Sequence, residues 1–310
     1  MTIGFVLSRL VIVFAAMAAG FILVKTKLLE ASAGTVLSRI IVYVLDPALV
    51  LSSALTSDRV FTNEQIFLFT GIALACYAFL IATSYGVVRL LRVKDTEKGL
   101  YQFMYIFSNI GFFGIPVISA LYGPNATILI TIFIIPFEVL SFTYGITRVS
   151  GGKYKFSAKM LLHPMILASV AAYVLYLLRV TPPAVVTDTI EFIGRATSPC
   201  AMLVVGILIA KAPLRRVFAN ARMYGLIVIK MILVPALVLF VLRRLIPDGE
   251  NVDLLIAVAV MVMAMPTATN TALLATQYGG DAEGAACGVF LATISTIVTI
   301  PLLVWLIQTV

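Results

Sequence analysis

Charge is scarce in this 310-residue chain: Asp, Glu, Lys and Arg make up 12% of it, where soluble domains carry roughly 25%. No long polar stretch marks a separate aqueous domain. There is one histidine, which excludes a histidine-rich metal centre. The three cysteines, Cys76, Cys200 and Cys287, lie far apart inside apolar runs without metal-ligand spacing and read as small buried hydrophobes. HExxH, GxSxG and Walker A patterns are all missing, so metalloprotease, hydrolase and ATPase readings find no footing. The run "YGGD" at 278–281 has Tyr278 in place of the first glycine of the GxGD pattern of intramembrane aspartyl proteases. It also falls at a span end and is set aside. No enzymatic activity and no cofactor are expected.

What the chain has in abundance is apolar residues: 62% of the total, with mean hydropathy +1.10. Runs of about 20 apolar residues recur from end to end, which predicts a polytopic membrane protein. Ten spans fit: 4–24, 34–55, 66–91, 99–121, 126–147, 161–180, 187–210, 222–245, 253–275 and 284–308. In lipid each must be helical, because only a helix satisfies its own backbone polar groups. The first run, Ile3 to Val24, has a weakly charged start and continues past "AMA" at 16–18, so it reads as a retained helix rather than a cleaved signal.

Basic residues divide unevenly between alternate loops, fifteen against six, with Lys230 left inside a span. By the positive-inside rule the richer side is cytoplasmic and both termini face outward, in a multi-pass protein of the cytoplasmic membrane. The net charge of +8 is thereby explained by topology, and nucleic acid is not an expected partner.

The spacing of prolines suggests an internal repeat. Pro47 in "LDPALVLSSAL" and Pro199 in "TSPCAMLVVG" are 152 residues apart; Pro116 in "SNIGFFGIPV" and Pro266 in "MAMPTATN" are 150 apart. "LYGPNA" at 121–126 is echoed by "QYGGDA" at 277–282. Five spans separate equivalent elements, so the second copy, 151–310, would enter from the opposite face to the first, 1–150. That is the inverted-repeat architecture of secondary transporters, with broken helices at the midplane.

Gly111, Gly114 and Pro116 fall within six positions of span 4, and each weakens a helix interior. Pro116 suits the first turn of an outer half-helix, with Asn109 near the end of the inner half. In span 9, Pro266 marks the break, and Thr267, Thr269 and Asn270 add two hydroxyls and an amide. If the two breaks cross, these eight residues line one site, with freed N–H groups suited to an anion. Helix-packing glycines and a structural kink are the plainer account. Asp46, Glu138 and Lys230 are ionisable residues inside spans and so candidates for coupling or charge compensation. Asp46 either faces the substrate path or caps a kink. Glu138 and Lys230 either pair with each other or neutralise half-helix ends, and Glu138 is also a candidate proton carrier. His163, in "LLHPM", reads as a helix cap.

These blocks, above all "SNIGFFGIPVISALYG" and "MAMPTATNTALLATQYGGDAEGAACGVFLATISTIVTIPLL", resemble bacterial members of the auxin efflux carrier family over almost the full length. The resemblance implies an all-α carrier similar in architecture to bile-acid and sodium/proton transporters. A scaffold of spans 1, 2, 6 and 7 would flank a moving domain of spans 3–5 and 8–10, with substrate at the crossing of spans 4 and 9. It also implies that Asn109 lies near a substrate carboxylate, and that malate, malonate or a similar organic anion is the cargo. Asp46 departs from the apolar residue usual in relatives, and His163 from the usual Asn. The leading expectation is a secondary carrier of a small organic anion; a carboxylate sensor without net transport and an ion channel are the other readings. Coupling to protons or sodium stays open, as does a homodimer through the scaffold helices.

Overall fold

A backbone N–H or C=O in hydrocarbon finds no water, so apolar stretches either close their hydrogen bonds internally or pair with another interrupted stretch. The computed structural model describes residues 3–30, 32–56, 60–153, 162–210, 220–277 and 280–310. Among them every apolar run is helical and no strand forms. In chain order the helices are α1 (Ile3–Lys25), α2 (Ala33–Thr56), α3 (Asn63–Leu90), α4 (Lys98–Ile106), α5 (Ile110–Tyr122) and α6 (Asn125–Val149). They continue as α7 (Pro164–Leu177), α8 (Ala184–Ala210), α9 (Ala221–Leu245), α10 (Val252–Ala264), α11 (Asn270–Gln277) and α12 (Ala282–Thr309). Six described helices, α2, α3, α6, α8, α9 and α12, are long and apolar enough to cross a bilayer, and shorter apolar helices lie among them. The protein is therefore an all-helical, multi-pass membrane protein. Arg59, Lys155, Lys159, Lys211, Arg215 and Arg216 from the loop-charge argument, and Tyr278 and Gly279 of the repeat echo, lie outside the described residues.

Three prolines are accommodated in the same way. A proline ring clashes with the carbonyl four residues earlier and brings no N–H of its own. Ahead of Pro47, Pro116 and Pro235 the helix widens by one residue per turn, at Ile41–Leu45, Ile110–Gly114 and Ile229–Leu233. In each case the residue preceding the proline donates its N–H five residues back: Asp46 to Ile41, Ile115 to Ile110 and Val234 to Ile229. The wider turn moves the clashing carbonyl aside and lets an apolar helix carry proline without stopping. His163 caps α7, its Nδ1 accepting from the Met165 N–H at 3.4 Å.

Helices α1 and α8 pack along each other, and α2 packs on both α7 and α8. Without a hydrophobic drive between helices in lipid, small residues let backbones approach and gain dispersion contact. Gly20 on α1 sits against the Leu203 carbonyl, and Gly206 on α8 against that of Met17. Gly194 meets the backbone of Leu49, so α8 crosses α2 just beyond Pro47. On the other side α10, fully buried from Leu255 to Ala264, packs on α6, α9 and α12. Exposed apolar side chains such as Val11, Leu90, Phe192 and Val298 form the outer, lipid-facing surface.

A side chain at Gly206 must push α1 and α8 apart. Gly206→Val is expected to lower stability by about 1–3 kcal/mol or more, as overpacking does. Gly71, which has nothing within 4 Å of an added Cβ, is expected to accept Ala with little change. Thermal unfolding of the two detergent-purified variants checks both.

Candidate functional site

The two interruptions are Phe107–Asn109, between α4 and α5, and Met265–Thr269, between α10 and α11. They satisfy one another. The Asn109 N–H donates to the Pro266 carbonyl at 2.7 Å, and the Ala268 N–H donates to the Phe107 carbonyl at 3.1 Å. Ser108 and Thr267 form an isolated antiparallel bridge at the centre. Two extended tripeptides buried in a helical protein thus pair like a minimal sheet, because each supplies the partner that the other's helix has given up.

Lys230 completes the arrangement. It is 2% exposed, and its Nζ donates to the carbonyls of Met104 at 2.7 Å and Phe107 at 3.1 Å. These are carbonyls at the C-terminal end of α4, where a helix leaves acceptors unfilled and carries partial negative charge. Thr267 Oγ1 donates to the same Met104 carbonyl at 3.3 Å. The alternative of a Glu138–Lys230 ion pair is therefore corrected: among the described residues Lys230 serves a helix end, and Glu138 on α6 is half-buried without an ion pair.

The position of the span 4 break is also corrected. Its glycines and proline do not interrupt the helix. The interruption comes earlier, at Phe107–Asn109, and α5 starts at Ile110 with the widened turn that accommodates Pro116. Pro116 is buried in the first turn of the α-helical part of the outer helix, Ile115–Tyr122, as expected, and Asn109 stands at the start of the widened turn ahead of it rather than near the end of the inner helix. Gly114 donates its N–H to the Asn109 carbonyl at 2.8 Å. An added Cβ on Gly114 would sit 3.4 Å from both that oxygen and Met265 Cγ, so the missing side chain lets the second interruption come close.

Polar groups collect here without internal partners. Asn109 is 4% exposed and occupies the capping position of α5, yet its side chain caps nothing. Its Nδ2 is buried with no hydrogen-bond partner, as are Ser108 Oγ and Asp46 Oδ1. Buried donors and acceptors are rarely left unmatched in native proteins, and those that are mark places where something else binds. Asp46 belongs to this group by geometry: its Oδ2 lies 3.7 Å from where a Cβ on Gly111 would stand. Thr267 and Thr269 are buried in the second interruption. Asn270 opens α11, but its side chain lies outside the described residues. Seven of the eight sequence-predicted site residues, Asn109, Gly111, Gly114, Pro116, Pro266, Thr267 and Thr269, thus lie in or beside the paired interruptions, and Asp46 joins them from α2.

Sequence reasoning offered a half-helix end as one alternative for Lys230 but not which carbonyls receive it. The only signal it had was a lone lysine in an apolar run. It also missed a cavity of about 370 Å³ beyond Asp46 toward the C-terminal end of α2, lined by Ser52, Ser53, Thr56, Ser119, Asn125 and Arg195 among others. The cavity does not reach Asn109 or Asp46. Its hydroxyls are spread over four helices, α2, α5, α6 and α8, and no spacing in the chain announces it.

Comparison with known proteins gives a consistent result. The family described as "Membrane transport protein" matches residues 5–158 and 153–304. A protein of Rhizobium meliloti (strain 1021) named "Putative malonate transporter" is 25% identical over 283 residues, which cover 88% of this chain and 86% of that one. The chain belongs to the membrane transport protein family, a family of transporters and not of enzymes, as the resemblance to auxin efflux carriers implied.

Removing the Lys230 ammonium leaves two buried carbonyls without a charged donor, a loss worth about 1–3 kcal/mol. Lys230→Met is expected to destabilise the protein by that amount and Lys230→Gln, which keeps an amide donor, by less. The order of the unfolding midpoints in detergent tests this.

Proposed function

We propose that this member of the membrane transport protein family is a secondary carrier of a small organic anion, a carboxylate or dicarboxylate of the malonate type, bound where the two interrupted helices meet. The observation that carries the reading is the Asn109 amide, buried at the N-terminus of α5 with its Nδ2 unmatched. A donor beside the free N–H groups and positive end of a helix suits an anion. The name of the Rhizobium meliloti relative points to the same class of cargo.

The two interruptions would be the crossing elements of two inverted five-helix repeats, 1–150 and 151–310, in a ten-span protein. Packing among α1, α2, α7 and α8 supports a scaffold; α3–α6 and α9–α12 would then be the transport domain. The hydroxyl-lined cavity between α2, α8 and the α5–α6 connection lies where these groups would slide past each other. It is suited to be one side of the substrate's path in alternating access. The cytoplasmic membrane, with both termini outside, follows from the loop charges. A receptor that binds the same anion without moving it is the second reading, favoured only if binding occurs without flux.

Uptake of labelled malonate into proteoliposomes tests the proposal. Asn109→Ala is expected to weaken binding and uptake at least about tenfold, the worth of a hydrogen bond to a charged group, with thermal stability unchanged. Asn109→Asp, which replaces the donor with a second negative charge, is expected to lose more. Wild-type uptake by Asn109→Ala would show the site to be misplaced.

A further inference from the structure

Asp46 is a carboxylic acid placed where the proposed anion would bind. It is 4% exposed and its Oδ1 has no hydrogen-bond partner. Its Oδ2 faces Gly111, two residues from Asn109, whose own Nδ2 is likewise buried and unmatched. No cation among the described residues pairs with it. Lys230 is held by the Met104 and Phe107 carbonyls. On α8, Arg195 is paired with Glu191 at 2.6 Å, and Cys200 is the other half-buried titratable group near the helix crossing. On α7, Tyr173 bonds to Thr70 and Tyr176 to Phe61, while His163 lies against the rings of Tyr43 and Phe142. On α6, Glu138 is a further carboxyl group and supplies no cation.

A substrate carboxylate at Asn109 would therefore meet a second carboxylate with no cation between them. Like charges a few ångströms apart in a water-poor interior do not both stay ionised; one takes a proton. A protonated Asp46 also gains an O–H donor, so one proton removes the repulsion and supplies a second hydrogen bond to the anion. This rests on the carboxylate reading of the same site. We propose that Asp46 binds a proton from the aqueous phase as the substrate carboxylate binds at Asn109 and releases it when the substrate leaves, so that each anion is carried with one proton. In chemical terms the Asp46 O–H bond forms on loading and breaks on unloading, and nothing is oxidised or reduced. The competing structural role is a permanently ionised Asp46 acting as counter-charge to the α5 N-terminus.

The two roles separate in a proton count. Purified wild-type protein in weakly buffered detergent solution is titrated with malonate across a pH series, at values where malonate is a dianion, with a pH-indicating dye. The expected result is uptake approaching one proton per malonate bound, and a Kd rising about tenfold per pH unit on the alkaline side of the Asp46 titration. In Asp46→Asn the Kd is expected to be flat over the same range, and a pH gradient is expected no longer to drive malonate uptake into proteoliposomes. Malonate binding by the wild type without proton uptake at any pH overturns the proposal and leaves the carboxylate reading standing. This measurement decides even if the Asn variant does not fold. An Asp46→Asn protein that keeps the wild-type pH slope overturns it too, and loss of the slope in Glu138→Gln alone would move the proton to Glu138. No binding of any carboxylate in a thermal-shift series of mono- and dicarboxylates overturns the substrate reading, and this one with it.

Discussion

The structure depends on one constraint: two helices stop inside an apolar protein, and the backbone groups they release have no water to turn to. The solution is mutual. Asn109 and Pro266, and Ala268 and Phe107, exchange the hydrogen bonds that the two helices have given up. Lys230 donates to the Met104 and Phe107 carbonyls at the α4 end, a charge matched to the helix dipole. Each interruption would be a costly defect alone. Together they form a buried junction at which two helix N-termini meet a set of unmatched polar side chains.

This junction also explains why polar residues are concentrated in a chain with so few. Asp46, Asn109, Thr267, Thr269 and Lys230 are all buried. Lys230 and Thr267 complete the backbone pairing, whereas Asp46 and Asn109 have groups left over. The division separates residues that hold the junction together from those that face a ligand. The widened turns ahead of Pro47 and Pro116 add to it. They bring Asp46 and Gly111, each in or beside such a turn, to the same place without interrupting their helices.

Much of the fold was legible in the sequence, because in lipid hydropathy nearly dictates secondary structure. The apolar runs proposed as spans 34–55, 222–245 and 284–308 correspond to α2, α9 and α12 within a few residues at each end. The pairing of "SNIGFFGIPV" with "MAMPTATN" named both interruptions before any contact was known. What misled was the weight placed on Gly111, Gly114 and Pro116 as helix breakers. Propensity measured in water does not count the extra residue per turn that a packed helix adopts ahead of Pro116, and so it set the break at Gly111–Pro116 rather than at Phe107–Asn109.

The sequence by itself determined the solvent and the helical class, which follow from composition, and named the two stretches in which a helix is interrupted, which follow from local spacing. Only the tertiary structure decided partners. Lys230 could have met Glu138 or a helix end, and Asp46 could have capped its own helix or faced another. Those choices turn on which helices touch and at what height, through backbone contacts such as Gly206 with Met17 and Gly194 with Leu49. No periodicity in one strand of sequence encodes the distance between two helices. It is their packing that places Asp46 and Asn109 beside the same interruption.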